Sequence, residues 1–175
     1  IYEVVWLQLL QLVVGSSAVS LTVLLSTFMG GMCLGSLLLP WIVNERLHPL
    51  RVFAWLEVAI AGSGVLILVL MPLVTNVYTS TGGHVAVRIL VASLCLLPPT
   101  MAMGATLVTV AGWIDASRAG MSKVGFIYAA NLAGAVTGSL VAGFYLLRVF
   151  DVYVATFVAA ALNLATAAVA LRLAK

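Results

Sequence analysis

Charge is what this sequence has least of. Only 7% of its 175 residues are Asp, Glu, Lys or Arg, where a soluble domain carries about a quarter. An aqueous fold could not hide the apolar surface that remains. Histidine and cysteine are scarce too, at two each. Cys33 and Cys95 lie in apolar runs without CxxC spacing; this argues against a disulfide scaffold or a cysteine metal site and leaves both as small buried hydrophobes. His48 and His84 are expected on opposite sides of a membrane, so they share no metal. No serine has a positioned histidine and acid beside it, which leaves nucleophilic catalysis without support. The basic residues are scattered singly, and no aromatic array offers base stacking, so a net charge of +3 does not indicate nucleic acid. Nothing in the chain calls for a cofactor.

What is abundant is apolar surface: 64% of the residues are hydrophobic and the mean hydropathy is +1.24. A helix needs about 20 apolar residues to cross a hydrocarbon core of about 30 Å. The expected fold is therefore an all-α integral membrane protein, a single domain over residues 1–175 that bundles about six transmembrane helices. The helices are expected at 1–14, 18–43, 50–74, 85–113, 124–147 and 152–171. The first opens directly into apolar residues with no initiator Met, and is expected to be incomplete, beginning before Ile1. Gly15-Ser16-Ser17 is a tight turn that makes the first two helices a hairpin. Asn44 to Pro49, Asn76 to Gly83 and Asp115 to Lys123 read as loops. Pro98-Pro99 removes backbone donors and predicts a kink in the fourth helix.

Lys and Arg near span ends favour the cytoplasm. Arg46, Arg51, Arg118, Lys123, Arg172 and Lys175 fall on one side of this layout, and Arg88 and Arg148 on the other. The C-terminus is accordingly expected in the cytoplasm. Trp6, Trp41, Trp55 and Trp113 fall toward span ends, as interfacial anchors do.

Candidate functional residues are the polar groups that apolar runs enclose. A carboxylate in hydrocarbon costs several kcal/mol unless it is paired, protonated or facing water, which singles out Glu3 and Glu57. Tyr128, Asn131 and Thr137 on the fifth helix and Asn163 on the sixth must also find partners. Each of these groups can equally be structural, satisfied by a neighbouring helix. A cavity lined by Glu3, Glu57, Tyr128 and Asn131 would form if the first, third and fifth helices faced one another. Gly31 and Gly35 in one helix, and Gly134 and Gly138 in another, have the four-residue spacing that lets helix backbones approach closely in lipid. Packing is the expected role of all four.

Four stretches occur in order: Ile1-Tyr2-Glu3-Val4-Val5-Trp6, Phe28-Met29-Gly30-Gly31-Met32-Cys33-Leu34-Gly35, Leu97-Pro98-Pro99-Thr100-Met101-Ala102-Met103-Gly104, and Tyr128-Ala129-Ala130-Asn131-Leu132-Ala133-Gly134. Together they resemble the membrane half of bacterial fused major-facilitator-like and spermidine-synthase-like proteins. The resemblance implies a six-helix domain like half of a major-facilitator transporter, in the bacterial inner membrane. In that family it precedes a Rossmann-like aminopropyltransferase domain, and no Gly-rich turn with an acidic cluster stands in these residues, so polyamine synthesis is not expected of them. The expected role is a non-catalytic anchor or accessory subunit, partnered by lipids and by other membrane subunits or a second copy. The alternative is a transport or binding module for a small cation such as a polyamine.

Overall fold

The computed structural model describes residues 1–14, 17–43, 47–80, 85–114 and 118–175, with the side chains of residues 13–14, 17, 71–80, 85, 88 and 118–121 set aside. The described chain is helical. The elements are α1 (Tyr2–Val14), α2 (Ser17–Ile42), α3 (Pro49–Ser80), α4 (Val85–Trp113), α5 (Arg118–Val141), a π turn (Ala142–Leu146), α6 (Leu147–Val149) and α7 (Val152–Leu173). Five helical segments are long and apolar enough to cross a membrane: Ala18–Ile42, Pro49–Leu70, Ile89–Trp113, Ser122–Val149 and Val152–Leu173. The 13 residues of α1 rise about 20 Å, less than a hydrocarbon core.

Two expected loops are partly helical. α3 runs on through Ser80, so Asn76 to Ser80 continue the helix; Thr, Asn and Ser are weak helix formers, and only Gly82-Gly83, outside the described residues, breaks strongly. α5 starts at Arg118, because Ala119, Met121 and Lys123 favour helix and outweigh Gly120. The turn at 15–16, the loop at 44–46, His84 and Asp115 also lie outside the described residues. α4 remains helical through Pro98-Pro99. On that turn the Thr100 hydroxyl lies 3.0 and 2.9 Å from the Leu96 and Leu97 carbonyls, which share its one proton, whereas the carbonyls that the prolines leave without a backbone donor are those four residues earlier, at Leu94 and Cys95.

Packing runs in the order α2, α4, α3, α7, with α1 set against all four. α2 meets α4 through glycine. A Cβ at Gly31 would strike the Thr100 hydroxyl, one at Gly35 the Met101 carbonyl, and one at Gly104 the Met32 carbonyl. The two backbones are therefore in direct contact, the arrangement by which helices gain dispersion energy in lipid. α1 supplies the centre: Val5, Trp6, Leu9 and Leu10 are buried with Leu24, Ile60, Ile67 and Leu96. Trp6 is thus a core residue, 0% exposed, and its expected role as an interfacial anchor is corrected. Its ring stacks on Tyr2 with centroids 5.3 Å apart, whereas Trp41, Trp55 and Trp113 are exposed. Cys95 is half-buried, and Cys33 is exposed rather than buried.

At one end of the bundle the Arg51 guanidinium donates to the Ala174 carbonyl at 3.5 Å. The start of α3 and the end of α7 therefore share a face. At the other end Asp151 caps α7, its Oδ1 accepting from the Val154 N–H at 2.8 Å.

Gly35→Ala and Gly104→Ala are each expected to cost about 1–3 kcal/mol, because the added methyl meets backbone. Gly30→Ala and Gly62→Ala, where a Cβ meets nothing within 4 Å, should be neutral or stabilise by up to about 1 kcal/mol. Steric-trap unfolding in bicelles measures both pairs, and equal costs would contradict the contact described. Single cysteines replacing His48 and Asp151 should react with impermeant maleimide from opposite sides of the membrane.

Candidate functional site

The inward face of α3 carries Leu50, Ala54, Glu57, Ala61, Gly64 and Leu68, spaced alternately four and three residues apart. All are buried except Glu57, which is half-buried. Glu57 is the one charged side chain in that stripe, and the spacing that reveals this is legible in the sequence. Two helical turns along, Gly64 leaves room for the Tyr2 ring: a Cβ there would press into the ring and lie 2.8 Å from the Tyr2 hydroxyl. Aromatic side chains on a helix lean toward its N-terminus. Glu3, on the first turn of α1, is half-buried.

Among the described residues three polar side-chain atoms are buried without a hydrogen-bond partner: the Tyr2 hydroxyl, the Trp6 indole nitrogen and the Ser20 hydroxyl. Such orphans cost about 1–3 kcal/mol each. Sequence reasoning read Trp6 as an interfacial anchor and singled out neither Tyr2 nor Ser20 as a candidate. Their burial depends on α1 lying at the centre, which no local pattern announces.

α5 has a different character. From Ser122 to Val141 none of its residues is buried, and only Val124, Ile127, Gly138 and Ser139 are half-buried. Tyr128 is 53% exposed and Asn131 is exposed as well. The cavity expected between the first, third and fifth helices does not form, since α5 does not pack along α3. Glu57 lies half-buried on the inward stripe of α3, while Tyr128 and Asn131 are exposed. Of the four glycines expected to pack, Gly31 and Gly35 abut α4, Gly138 makes ordinary contact with Ile1 at 3.5 Å, and a Cβ at Gly134 would meet nothing.

Burial resumes at Ala142 and Leu146, inside the π turn. The Leu147 N–H bonds the Ala142 carbonyl five residues back, and the extra residue turns the chain onto α1 and α7. Between α5 and α7 an open-sided cleft of about 420 Å³ remains. It is lined by Ile1 and Tyr2 of α1, by Gly134, Thr137, Gly138 and Val141, and by Val158, Ala159, Leu162 and Asn163. The structure therefore brings Asn163 and Thr137 together with Tyr2, and leaves Glu3, Glu57, Tyr128 and Asn131 out of the cleft wall. Among the described residues no three metal-ligating side chains converge.

No known protein family, characterised protein or solved structure matches this chain.

Removing the orphaned hydroxyl by Tyr2→Phe is expected to leave stability unchanged or raise it by up to about 1 kcal/mol. Trp6→Ala, which empties the centre of the bundle, should cost about 3–5 kcal/mol. Unfolding in mild detergent compares the two, and a large loss for Tyr2→Phe would show that its hydroxyl has a partner.

Proposed function

We propose that this chain is a non-catalytic, membrane-embedded module that works packed against further membrane helices, with α5 as the element that docks. The observation that carries the reading is the unburied length of α5, 20 residues from Ser122 to Val141 inside one candidate crossing. A helix in hydrocarbon gains nothing from water exclusion, and its fit to neighbours is what holds it in place. Among the described residues α5 has few such neighbours. It also directs the Tyr128 phenol and the Asn131 amide outward. Lipid tails cannot hydrogen-bond these groups, whereas another protein helix can.

In this reading α1 belongs to the sixth crossing of a bundle that resembles half of a major-facilitator transporter. The end bearing Arg51, Arg172 and Lys175 lies in the cytoplasm of a bacterial cell, in keeping with the charge bias of the span ends. The resemblance of four sequence stretches to the membrane half of spermidine-synthase-like fusion proteins supports an anchor or accessory role. A module for small cations has weaker support, because no charged side chain lines the cleft.

A photoreactive benzoylphenylalanine in place of Leu132, irradiated in native membranes, tests the proposal. Crosslinks to a protein, either a second subunit or another copy of the chain, are expected. They should fall by about fivefold when Asn131→Leu removes the amide, the equivalent of about 1 kcal/mol. Crosslinks to lipid alone would overturn the reading.

A further inference from the structure

Arg148 stands in the last helical turn before the chain becomes extended at Phe150, at the end of the Ser122–Val149 crossing. Its side chain is exposed, and among the described residues no hydrogen bond or ion pair engages the guanidinium. Arg51, at the opposite end of the bundle, has the Ala174 carbonyl. Carboxylates are scarce around Arg148. The sequence has no Asp or Glu between Glu57 and Asp115, so the far half of α3 and the start of α4 bring none, and Asp151 gives its Oδ1 to the Val154 N–H. The connections are short and successive crossings alternate, so α2, α4 and α7 all begin at this end and α1 runs toward it. Ile1 meets α5 at Gly138, about 15 Å short of Arg148 at the helical rise. What surrounds the first turn of α1 therefore does not reach the guanidinium.

We propose that Arg148, framed by Phe144, Tyr145, Phe150 and Tyr153, binds the phosphate of an anionic phospholipid. Phe144 and Tyr145 precede Arg148 by four and three residues, the spacing that puts side chains on one helix face. Phe150 and Tyr153 follow on the turn and at the start of α7, and all four rings are exposed. The Tyr145 ring rests edge-on against Phe150 with centroids 5.9 Å apart, which ties the two sides of the turn together. Tyrosine at the end of an apolar crossing sits at headgroup depth, where lipid phosphates are. A guanidinium takes two phosphate oxygens in its fork, and a tyrosine hydroxyl at the same depth can donate to another. The phenylalanine rings offer contact to the acyl chains. A zwitterionic headgroup already neutralises its phosphate with its own ammonium, so the site favours an anionic one.

Benzoylphenylalanine in place of Phe144 tests this in symmetric vesicles of dioleoylphosphatidylcholine with a tenth of dioleoylphosphatidylglycerol, mass spectrometry reading which lipid is captured. Phosphatidylglycerol is expected about fivefold above its share of the bilayer, which is what one basic side chain contributes at a membrane surface. The same probe in place of Leu94, an exposed residue of α4, should capture the two lipids in proportion. Arg148→Gln should return the Phe144 probe to proportion, and Arg148→Lys, which keeps the charge and loses the fork, should retain about half of the enrichment. Millimolar inorganic phosphate should not compete; loss of the enrichment on adding it would assign the guanidinium to a soluble anion and overturn the lipid assignment. Capture in proportion at Phe144, enrichment that survives Arg148→Gln, or crosslinks to protein in place of lipid would overturn the proposal.

Discussion

Lipid tails are as apolar as leucine side chains, so helices among them have no hydrophobic reason to associate and must be held by close contact and by satisfied polar groups. Every feature of this bundle answers to that constraint. Where contact is closest, glycine makes it possible: Gly31 and Gly35 of α2 and Gly104 of α4 let the two backbones touch. α4 then packs α3 on another side, and α3 packs α7. The prolines of α4 fit the same scheme. They remove backbone donors inside the crossing, and the Thr100 hydroxyl, fully buried where it faces α2, shares its one proton between two carbonyls of that turn without leaving the helix.

The same constraint explains why α5 and the rest of the bundle differ so sharply. α7 buries Ala155, Ala159, Ala160, Ala167 and Ala170, small residues that bring its backbone near its neighbours. α5 has an equally small-residue surface, including Ala130, Gly134 and Gly138, yet its packing begins only at Ala142. A run of small residues is permission for close approach, and the partner decides whether the approach occurs. Within this chain the π turn marks the boundary. Ala142 and Leu146 within it belong to the core, and before it the helix offers its surface to whatever lies beside it.

Much of the architecture was legible in the sequence because apolar length sets the crossings and polar or proline residues end them. The ends of α2, α4 and α7 fall within about two residues of expectation, the ordinary scatter of helix boundaries. The overrun at Ser80 arose where only weak helix formers marked a loop, and the one at Arg118 where Ala119, Met121 and Lys123 favour helix. Trp6 was misread because end-of-span position was taken to mean an interface; what buries it is the convergence of α2, α3, α4 and α7 on α1. Gly64 and Gly104 have no four-residue glycine partner, so their close contacts, with the Tyr2 ring and the Met32 carbonyl, depend on which helices meet. The candidate polar residues were found one by one, since each stands out against apolar neighbours. Their grouping was not, because a residue's bearing on a helix says nothing of the helix opposite.

That grouping separates two kinds of polarity. The inward stripe of α3 carries a carboxylate, Glu57, and α1 buries a phenol and an indole whose polar atoms have no hydrogen-bond partner among the described residues. Between the charged residues at their ends, Lys123, Arg148, Asp151 and Arg172, the crossings that contain α5 and α7 carry neutral polar groups, Thr137 and Asn163 in the cleft and Tyr128 and Asn131 outside it. An unsatisfied charge in hydrocarbon is far more costly than an unsatisfied amide, so a surface that meets variable surroundings is better furnished with amides and hydroxyls. A carboxylate belongs where neighbouring helices control its surroundings, and Glu57 stands on the inward stripe of α3, the helix enclosed by α1, α4 and α7.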